Sequence, residues 1–285
     1  MIVITGATGV LNGATVEYLL QRVPADQIGV SVRDVAKARH FADRGVRVRR
    51  GSYEDPAALL DSFEGADQVL LVSSNDPHAD QVPLHRTGIE TAVKAGARRI
   101  LYTSHQHAAP SSPFAPAEIH ATAEADLTDS GVAWTSLRNG FYAHSLDWLL
   151  GPWRETGVIA TPADGPVSWT ERTDAAEAAA VILASDGGYD GPVTLTASTA
   201  PTLAEVAAIA SELTGRDIER VVLDDDEWVA QQVGNGQPEA MARFMLGFYQ
   251  AAREGRFAGT SPLLGELLGR EPRTVRDLLT DRLAA

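Results

Sequence analysis

The chain contains no cysteine. Disulfides, thiolate metal sites and cysteine nucleophiles are thereby excluded, and a reducing cytoplasm is the expected setting. No stretch approaches the ~18 consecutive apolar residues of a membrane helix. The opening MIVITGATG has neither a charged n-region nor a long apolar h-region. It is expected to form a strand running into a turn rather than a signal peptide. Positive charge is also short, leaving a formal net charge of −14. Such a surface repels nucleic acid and anionic membrane, so neither is expected as a partner, although a local basic pocket can still take a phosphate. No internal repeat and no low-complexity tract interrupts the chain.

What the chain does have is a strand–helix rhythm. Short strand candidates at residues 1–5, 27–32, 47–50, 68–73, 99–103 and 133–138 alternate with helical patterns at 10–23, 35–44, 56–63, 83–95 and 115–130. This alternation, with Gly45, Gly96 and Gly131 at helix ends, implies βαβ units and a parallel sheet covered on both faces. After residue 150 the chain turns glycine- and proline-rich, then helical. A helix is expected at 174–184, a strand at 192–196, a helix over TLAEVAAIASELTG starting from Thr202, a strand at 218–223, and helix from 226 to 253 and from 272 to 283. The fold class is α/β: a Rossmann-like doubly wound parallel sheet with a smaller C-terminal α+β part and a cleft between them. The expected boundaries are 1–150 for the nucleotide-binding domain, with 167–200 returning to it, and 151–285 for the substrate side. A homodimer stays open, with an interface helix available among residues 226–253.

GATGVLNG follows the first strand and opens the first helix, the context in which glycines let backbone N–H groups approach a pyrophosphate at a helix N-terminus. Gly6 and Gly9 fit the fingerprint. Asn12 stands where a third glycine usually permits close helix–strand packing. Its side chain is expected either to push the helix outward or to be absorbed by small neighbours, Gly13 and Ala14. The second strand ends VSVRDVAK, so Arg33 takes the tip where NAD sites usually carry an acid, with Lys37 one turn on. Two cations there favour a 2′-phosphate and hence NADP(H). Asp34 is the alternative ribose acceptor.

ITGATG, SVRDVAKA, GSYEDPAAL, LLVSSND, HRTGIETAVKAGARRILYTS, DSGVAWTSLRNGFY and LLGREPRTVRDLL, in this order, resemble the NmrA-like, atypical short-chain dehydrogenase/reductase family, and within it the bacterial type-2 NADPH:quinone oxidoreductases. The likeness spans nearly the whole chain. It implies NADPH along Gly6, Thr8, Gly9 and the Val10–Leu11 backbone, with Arg33 and Lys37 at the 2′-phosphate and Tyr53 by the adenine. It places Ser73, Ser74 and Asn75 along the ribose, and Thr103 and Ser104 toward the nicotinamide. Asn139, Gly140, Phe141 and Tyr142 would cap the nicotinamide and shape a quinone pocket.

Several positions depart from the family pattern. Asn12 replaces the third glycine, and Ser52 stands where the family usually has an Asp for the adenine. No Tyr-x-x-x-Lys pair exists anywhere, and His120 and Glu124 occupy the helix where that pair belongs. Ordinary carbonyl reduction loses its proton donor. Quinone reduction needs less, because the hydroquinone anion takes its proton from water or a histidine, and His105, His107 and His120 are candidates for that relay. Tyr142 is the remaining catalytic candidate. His120 and Glu124, one turn apart, could equally form an imidazole–carboxylate pair stabilising a helix face. Phe141, Tyr142, Trp148 and Trp153 could stack a planar quinone or pack as core. The three histidines with Glu118 or Glu124 match no established ligand spacing, so no metal is expected. No G-x-S-x-G elbow supports a serine hydrolase. The expected activity is NADPH-dependent hydride transfer to a small quinone or similar electron-poor carbonyl compound. The alternatives are a non-catalytic NADP-sensing regulator and a biosynthetic tailoring reductase.

Overall fold

The structure is a computed structural model that describes residues 1–74, 79–185 and 187–284. Seven strands form one sheet: β1 (Ile2–Thr5), β2 (Ile28–Val32), β3 (Arg47–Arg50), β4 (Gln68–Leu71), β5 (Arg99–His105), β6 (Ala133–Asn139) and β8 (Gly191–Leu195), in the order β3-β2-β1-β4-β5-β6-β8. Every pairing is parallel. β1, β2 and β4 are buried along their whole length, as strands covered on both faces must be. Chain direction across the sheet reverses between β1 and β4. In an open parallel sheet that switch point, at the carboxyl ends of the strands, is where a ligand binds.

Caps written in the sequence set the helix ends. Asp55 accepts from Ala58 N–H at 3.1 Å, with Pro56 just inside the helix Pro56–Ser62. Thr202 and Glu205 form a reciprocal capping box for the helix Leu203–Thr214. Asp224 caps Asp225–Gly234 through Asp226 N–H at 2.9 Å. Gly45, Gly96 and Gly131 take positive φ at the expected stops.

Two units are distinct. The first comprises Met1–Ala108, Ile119–Asn139 and Arg172–Leu195 and holds the seven-stranded sheet. Its helix Arg172–Ala184 packs on the helix Val10–Leu19, five of the eight buried residues of the former being alanine. The second comprises Ala109–Glu118, Gly140–Glu171 and Thr196–Ala285. It contains a short parallel pair, β7 (Val158–Pro162) with β9 (Glu219–Leu223), and an aromatic core around Phe141, Trp169, Phe248 and Phe257. The sequence-drawn division at 150 differs from these bounds, because Gly140 already leaves with the second unit and residues 109–118 join it.

Two helical expectations are corrected. The stretch 226–253 divides into Asp225–Gly234 and Glu239–Arg253, because Gly236 takes φ +91° and Pro238, lacking an N–H, starts the second helix. Residues 35–44 form a 3-10 turn, Val35–Ala38, followed by one helical turn, Arg39–Ala42. A further short helix, Leu263–Leu268, lies between the stretches expected as helix at 226–253 and 272–283. Among the described residues no helix is long and apolar enough to cross a membrane.

Candidate cofactor and catalytic site

The glycine turn is built from β1 outward. Gly6 takes φ +64°, and a Cβ there would fall 2.6 Å from Val72 Cγ1, so both conformation and space demand glycine. Gly9 precedes the helix and offers no side-chain cap, and the first helical bond runs from Gly13 N–H to Gly9 carbonyl at 2.9 Å. The N–H groups before it therefore have no intrahelical acceptor. Thr8, Gly9 and Val10 are exposed around them, and Leu11 is partly so.

Asn12 neither pushes the helix away nor sits idle. It is buried, and its Nδ2 donates to the Thr5 carbonyl at 2.8 Å, tying the helix to the end of β1. Close approach is supplied one position later, where a Cβ on Gly13 would come within 2.9 Å of the Ala7 carbonyl. The fingerprint has exchanged a contact by absence for a contact by hydrogen bond.

Arg33 and Lys37 follow β2 and are exposed, and neither enters an ion pair or hydrogen bond among the described residues. The alternative acceptor is already committed: the Asp34 carboxylate accepts from Ala36 N–H at 3.0 Å and caps the 3-10 turn. Tyr53 is drawn into the sheet end. Its hydroxyl donates to the Val72 carbonyl at 2.8 Å and lies 3.0 Å from Thr5 Oγ1, and burial pushes its pKa up. The hydroxyl thus braces the ends of β1 and β4. Ser73 N–H donates to Thr103 Oγ1 at 2.8 Å, and Ser74 N–H donates to His85 Nε2 at 2.8 Å. Asn75 lies outside the described residues.

Thr103 and Ser104 do not share a face, because side chains alternate along a strand. Thr103 turns to the loop after β4, whereas Ser104 Oγ donates to Glu124 Oε1 at 2.7 Å. The pairing Tyr102↔Ser136 and Ser104↔Arg138 puts four polar side chains side by side on one face of β5 and β6. The helix Ala115–Asp129 lies over them, with His120 and Glu124 one turn apart.

The expected His120–Glu124 pair is replaced by two separate constellations. Glu124 accepts from Ser136 Oγ at 2.6 Å, from Ser104, and from Arg138 through both Nε (2.9 Å) and a terminal nitrogen (2.5 Å). Burial pulls its pKa upward, but the bonds from Arg138, Ser136 and Ser104 outweigh it and hold the carboxyl below its ordinary value. His120 Nδ1 instead meets the Tyr102 hydroxyl at 2.9 Å, and that hydroxyl lies 3.2 Å from His85 Nδ1. The His105 ring stacks near His120, centroids 6.3 Å apart, at the end of β5 opposite Asn139. His107 donates its N–H to His105 Nδ1 at 3.3 Å.

Burial lowers His85 to about 4, and it lowers His120 to about 3, with His85 adding to the effect. His105 is likewise lowered to about 3 by burial and then by His120 and His107. The cluster is neutral at physiological pH. It can donate and accept hydrogen bonds but does not store a proton as imidazolium.

Beyond β6 the chain enters the second unit. Asn139 is buried at the strand end, with its carbonyl accepting from Gln106 N–H at 2.8 Å, and Gly140 is buried next to it. Phe141 serves the core rather than a ligand: it is 7% exposed, with Phe248, Phe257, Phe114 and Trp169 around it at ring distances of 4.5 to 5.6 Å. Trp153 joins that core, whereas Trp148 is 47% exposed. Tyr142 is half-buried, precedes the 3-10 turn Ala143–Ser145 and pairs by an isolated bridge with Thr170. Sequence reasoning missed His85, Tyr102 and Arg138. The usable signal was the alternation of Tyr102 with Ser104 on β5 and of Ser136 with Arg138 on β6.

The residues present fit a dinucleotide phosphate. Orphan N–H donors at an open glycine turn suit a pyrophosphate, and two unengaged cations at the tip of β2 suit a further phosphate. Comparison with known proteins agrees. The family model described as NAD(P)H-binding matches residues 6–186. Quinone oxidoreductase 2 of Escherichia coli (strain K12) is 35% identical over 279 residues, covering 97% of this chain and 96% of the relative. NAD(P)H azoreductase of Xenophilus azovorans is 30% identical over 287 residues, covering 100% and 99%. The crystal structure of an Escherichia coli NADPH-dependent quinone oxidoreductase complexed with NADPH superposes with a TM-score of 0.92 at 34% identity, covering 100% of both chains.

Proposed function

The chain belongs to the NAD(P)H-binding family, and we propose that it is an NADPH-dependent oxidoreductase acting on quinone-like compounds. The carrying observation is the pairing of an open glycine turn at the end of β1 with unengaged Arg33 and Lys37 at the end of β2. This pairing holds a dinucleotide by its pyrophosphate and by a 2′-phosphate. Bound there, NADPH supplies a hydride.

The residues' part is binding, orientation and hydrogen-bond donation. The Val10 and Leu11 N–H groups take the pyrophosphate, Gly6 and Gly9 leave the room for its approach, and the helix N-terminus adds its partial positive charge. Arg33 and Lys37 select the phosphorylated ribose. Thr8, Asn139 and Gly140 are assigned to the cofactor, and Tyr142 to the substrate, on the family resemblance. A quinone that accepts a hydride becomes a hydroquinone anion. The neutral imidazoles of His105 and His120 stabilise that oxygen by donating a hydrogen bond, and water supplies the proton. No tyrosine–lysine pair is required, which fits a chain that lacks one.

The test is NADPH oxidation followed at its absorbance band with a panel of simple quinones and azo compounds. Quinone-dependent turnover that is faster with NADPH than with NADH is expected. Tight NADPH binding with no turnover on any quinone would establish a cofactor sensor instead.

A further inference from the structure

We propose that Tyr102 and His85 are positioning residues that fix His120 in the tautomer carrying its hydrogen on Nε2. The direction of each hydrogen bond fixes the position of the next hydrogen. A backbone N–H can only donate, and Ser74 N–H points at His85 Nε2 at 2.8 Å. That nitrogen is therefore bare, and the hydrogen of a neutral His85 sits on Nδ1. His85 Nδ1–H then donates to the Tyr102 hydroxyl oxygen, 3.2 Å away. With that oxygen accepting from His85, the tyrosine hydrogen goes to its other partner, His120 Nδ1, at 2.9 Å. His120 Nδ1 is an acceptor, and Nε2 carries the hydrogen.

Each link is held by the fold. Tyr102 is 1% exposed within β5. His85 is buried on the same helix face as Gly88, Ile89 and Ala92. The rings of His85 and His120 stand 5.4 and 5.7 Å from the tyrosine ring, both steeply inclined to it. The lowered pKa values of both histidines agree with neutral rings, since a second proton on His85 would confront the Ser74 N–H.

The direction of the chain also limits what it does. Its far end is closed, because the His85 Nε2 lone pair is already occupied by a backbone N–H. No proton enters there, so the chain orients His120 rather than conducting to it. His120 consequently presents a fixed N–H donor rather than a mixture of donor and acceptor. The consequence for turnover rests on the quinone-reduction reading above, whereas the tautomer does not.

The experiment is nitrogen-15 NMR of the full chain with ring-labelled histidine at pH 7, where protonated and bare ring nitrogens resonate far apart. His120 and His85 are assigned through the signals lost in His120→Asn and His85→Asn. Opposite tautomers are expected in the wild type, bare Nδ1 on His120 and bare Nε2 on His85. In Tyr102→Phe the two His120 nitrogens should move toward a tautomer mixture, and kcat for a quinone should fall roughly tenfold, the upper end of one lost hydrogen bond, with KM for NADPH unchanged. Finding both histidines in the same tautomer, or a His120 tautomer indifferent to Tyr102→Phe, overturns the proposal. The wild-type spectrum decides the first point even if the variant does not fold. Opposite, Tyr102-dependent tautomers in a protein that reduces no quinone would sustain this inference and defeat the functional reading alone.

Discussion

Arg138 grips Glu124 with two nitrogens, Nε on one carboxylate oxygen at 2.9 Å and a terminal nitrogen on the other at 2.5 Å. The carboxylate side chain is 9% exposed and also accepts from Ser104 and Ser136. This is a bidentate ion pair whose carboxylate is buried while its arginine is half-buried, and it is costly to break from the arginine side because the Glu124 charge then stays buried without its partner.

Arg138→Met is therefore expected to destabilise the fold by about 3 kcal/mol at neutral pH, read from the urea midpoint. Adding Glu124→Leu to it should restore most of the loss, because both charges are then gone. A single-variant cost below about 1 kcal/mol would place the pair with ordinary surface bridges.

Stability should fall as the solution is acidified well before carboxylates titrate. Free histidine titrates near about 6.5, whereas folded His85 is lowered to about 4, and His105 and His120 to about 3. In that interval the unfolded chain binds more protons than the folded one, so stability is complete above the unfolded value and is lost as pH drops toward the folded ones. Each histidine contributes a slope of about 1.4 kcal/mol per pH unit in the window. Glu124, also held low, adds a loss of the same sign at lower pH. The groups facing His120 are Tyr102 and His105 from β5, His85 from the helix Gln81–Lys94 and Glu124 on its own helix. Denaturation midpoints across pH 4 to 8 should show this decline, and His120→Gln should flatten it. For the same reason the pH profile of quinone reduction should carry no histidine limb near about 6.5.

The sheet was legible because short strand candidates alternate with helical patterns that stop at glycines, and the cofactor end because Gly6 and Gly9 share one turn and Arg33 and Lys37 another, each readable within a few residues. The histidine cluster was only half legible. His105 and His120 stood out as titratable groups, but their partners are set by strand register and helix face. The Tyr102 hydroxyl reaches His120 and His85, which are 18 and 17 residues away. Glu124 seemed bound to His120 by helical spacing, yet three side chains from two strands claim it first. Helical proximity offers a partner, and a charged bidentate donor outbids it. Phe141 misled for a related reason. An aromatic next to a strand end suits a flat ligand and a core equally, and only the neighbouring rings decide.

Asn12 tests how a fingerprint tolerates a substituted glycine. Its amide bond to the Thr5 carbonyl should be worth about 1 kcal/mol, so Asn12→Ala is expected to lower the thermal midpoint by a few degrees. Asn12→Gly should lose the same bond and add the flexibility cost of a helical glycine, making it the less stable of the two. Neither change alters the ribose end of the site, so the ratio of NADPH to NADH affinity should stay constant in both. A swing toward NADH would mean that the Asn12 bond shapes the whole cofactor path and not only the seat of the helix.

Cofactor choice should rest on Arg33. Its guanidinium and the Lys37 ammonium are exposed and uncommitted, while the neighbouring acid, Asp34, is spent on capping the turn that follows. Losing a charged hydrogen-bond donor to a phosphate typically costs about 1.5–3 kcal/mol, a factor of roughly 10 to 150 in affinity. Arg33→Ala should weaken NADPH by that factor and leave NADH nearly unchanged, as measured by fluorescence titration of both cofactors. Lys37→Ala should act in the same direction with a smaller effect, since an ammonium meets a phosphate as a single point charge rather than a fork. The loss should shrink as salt is raised, because both groups sit in solvent. Equal losses for NADPH and NADH would show that Arg33 holds a part of the dinucleotide common to both, and the 2′-phosphate assignment would fall.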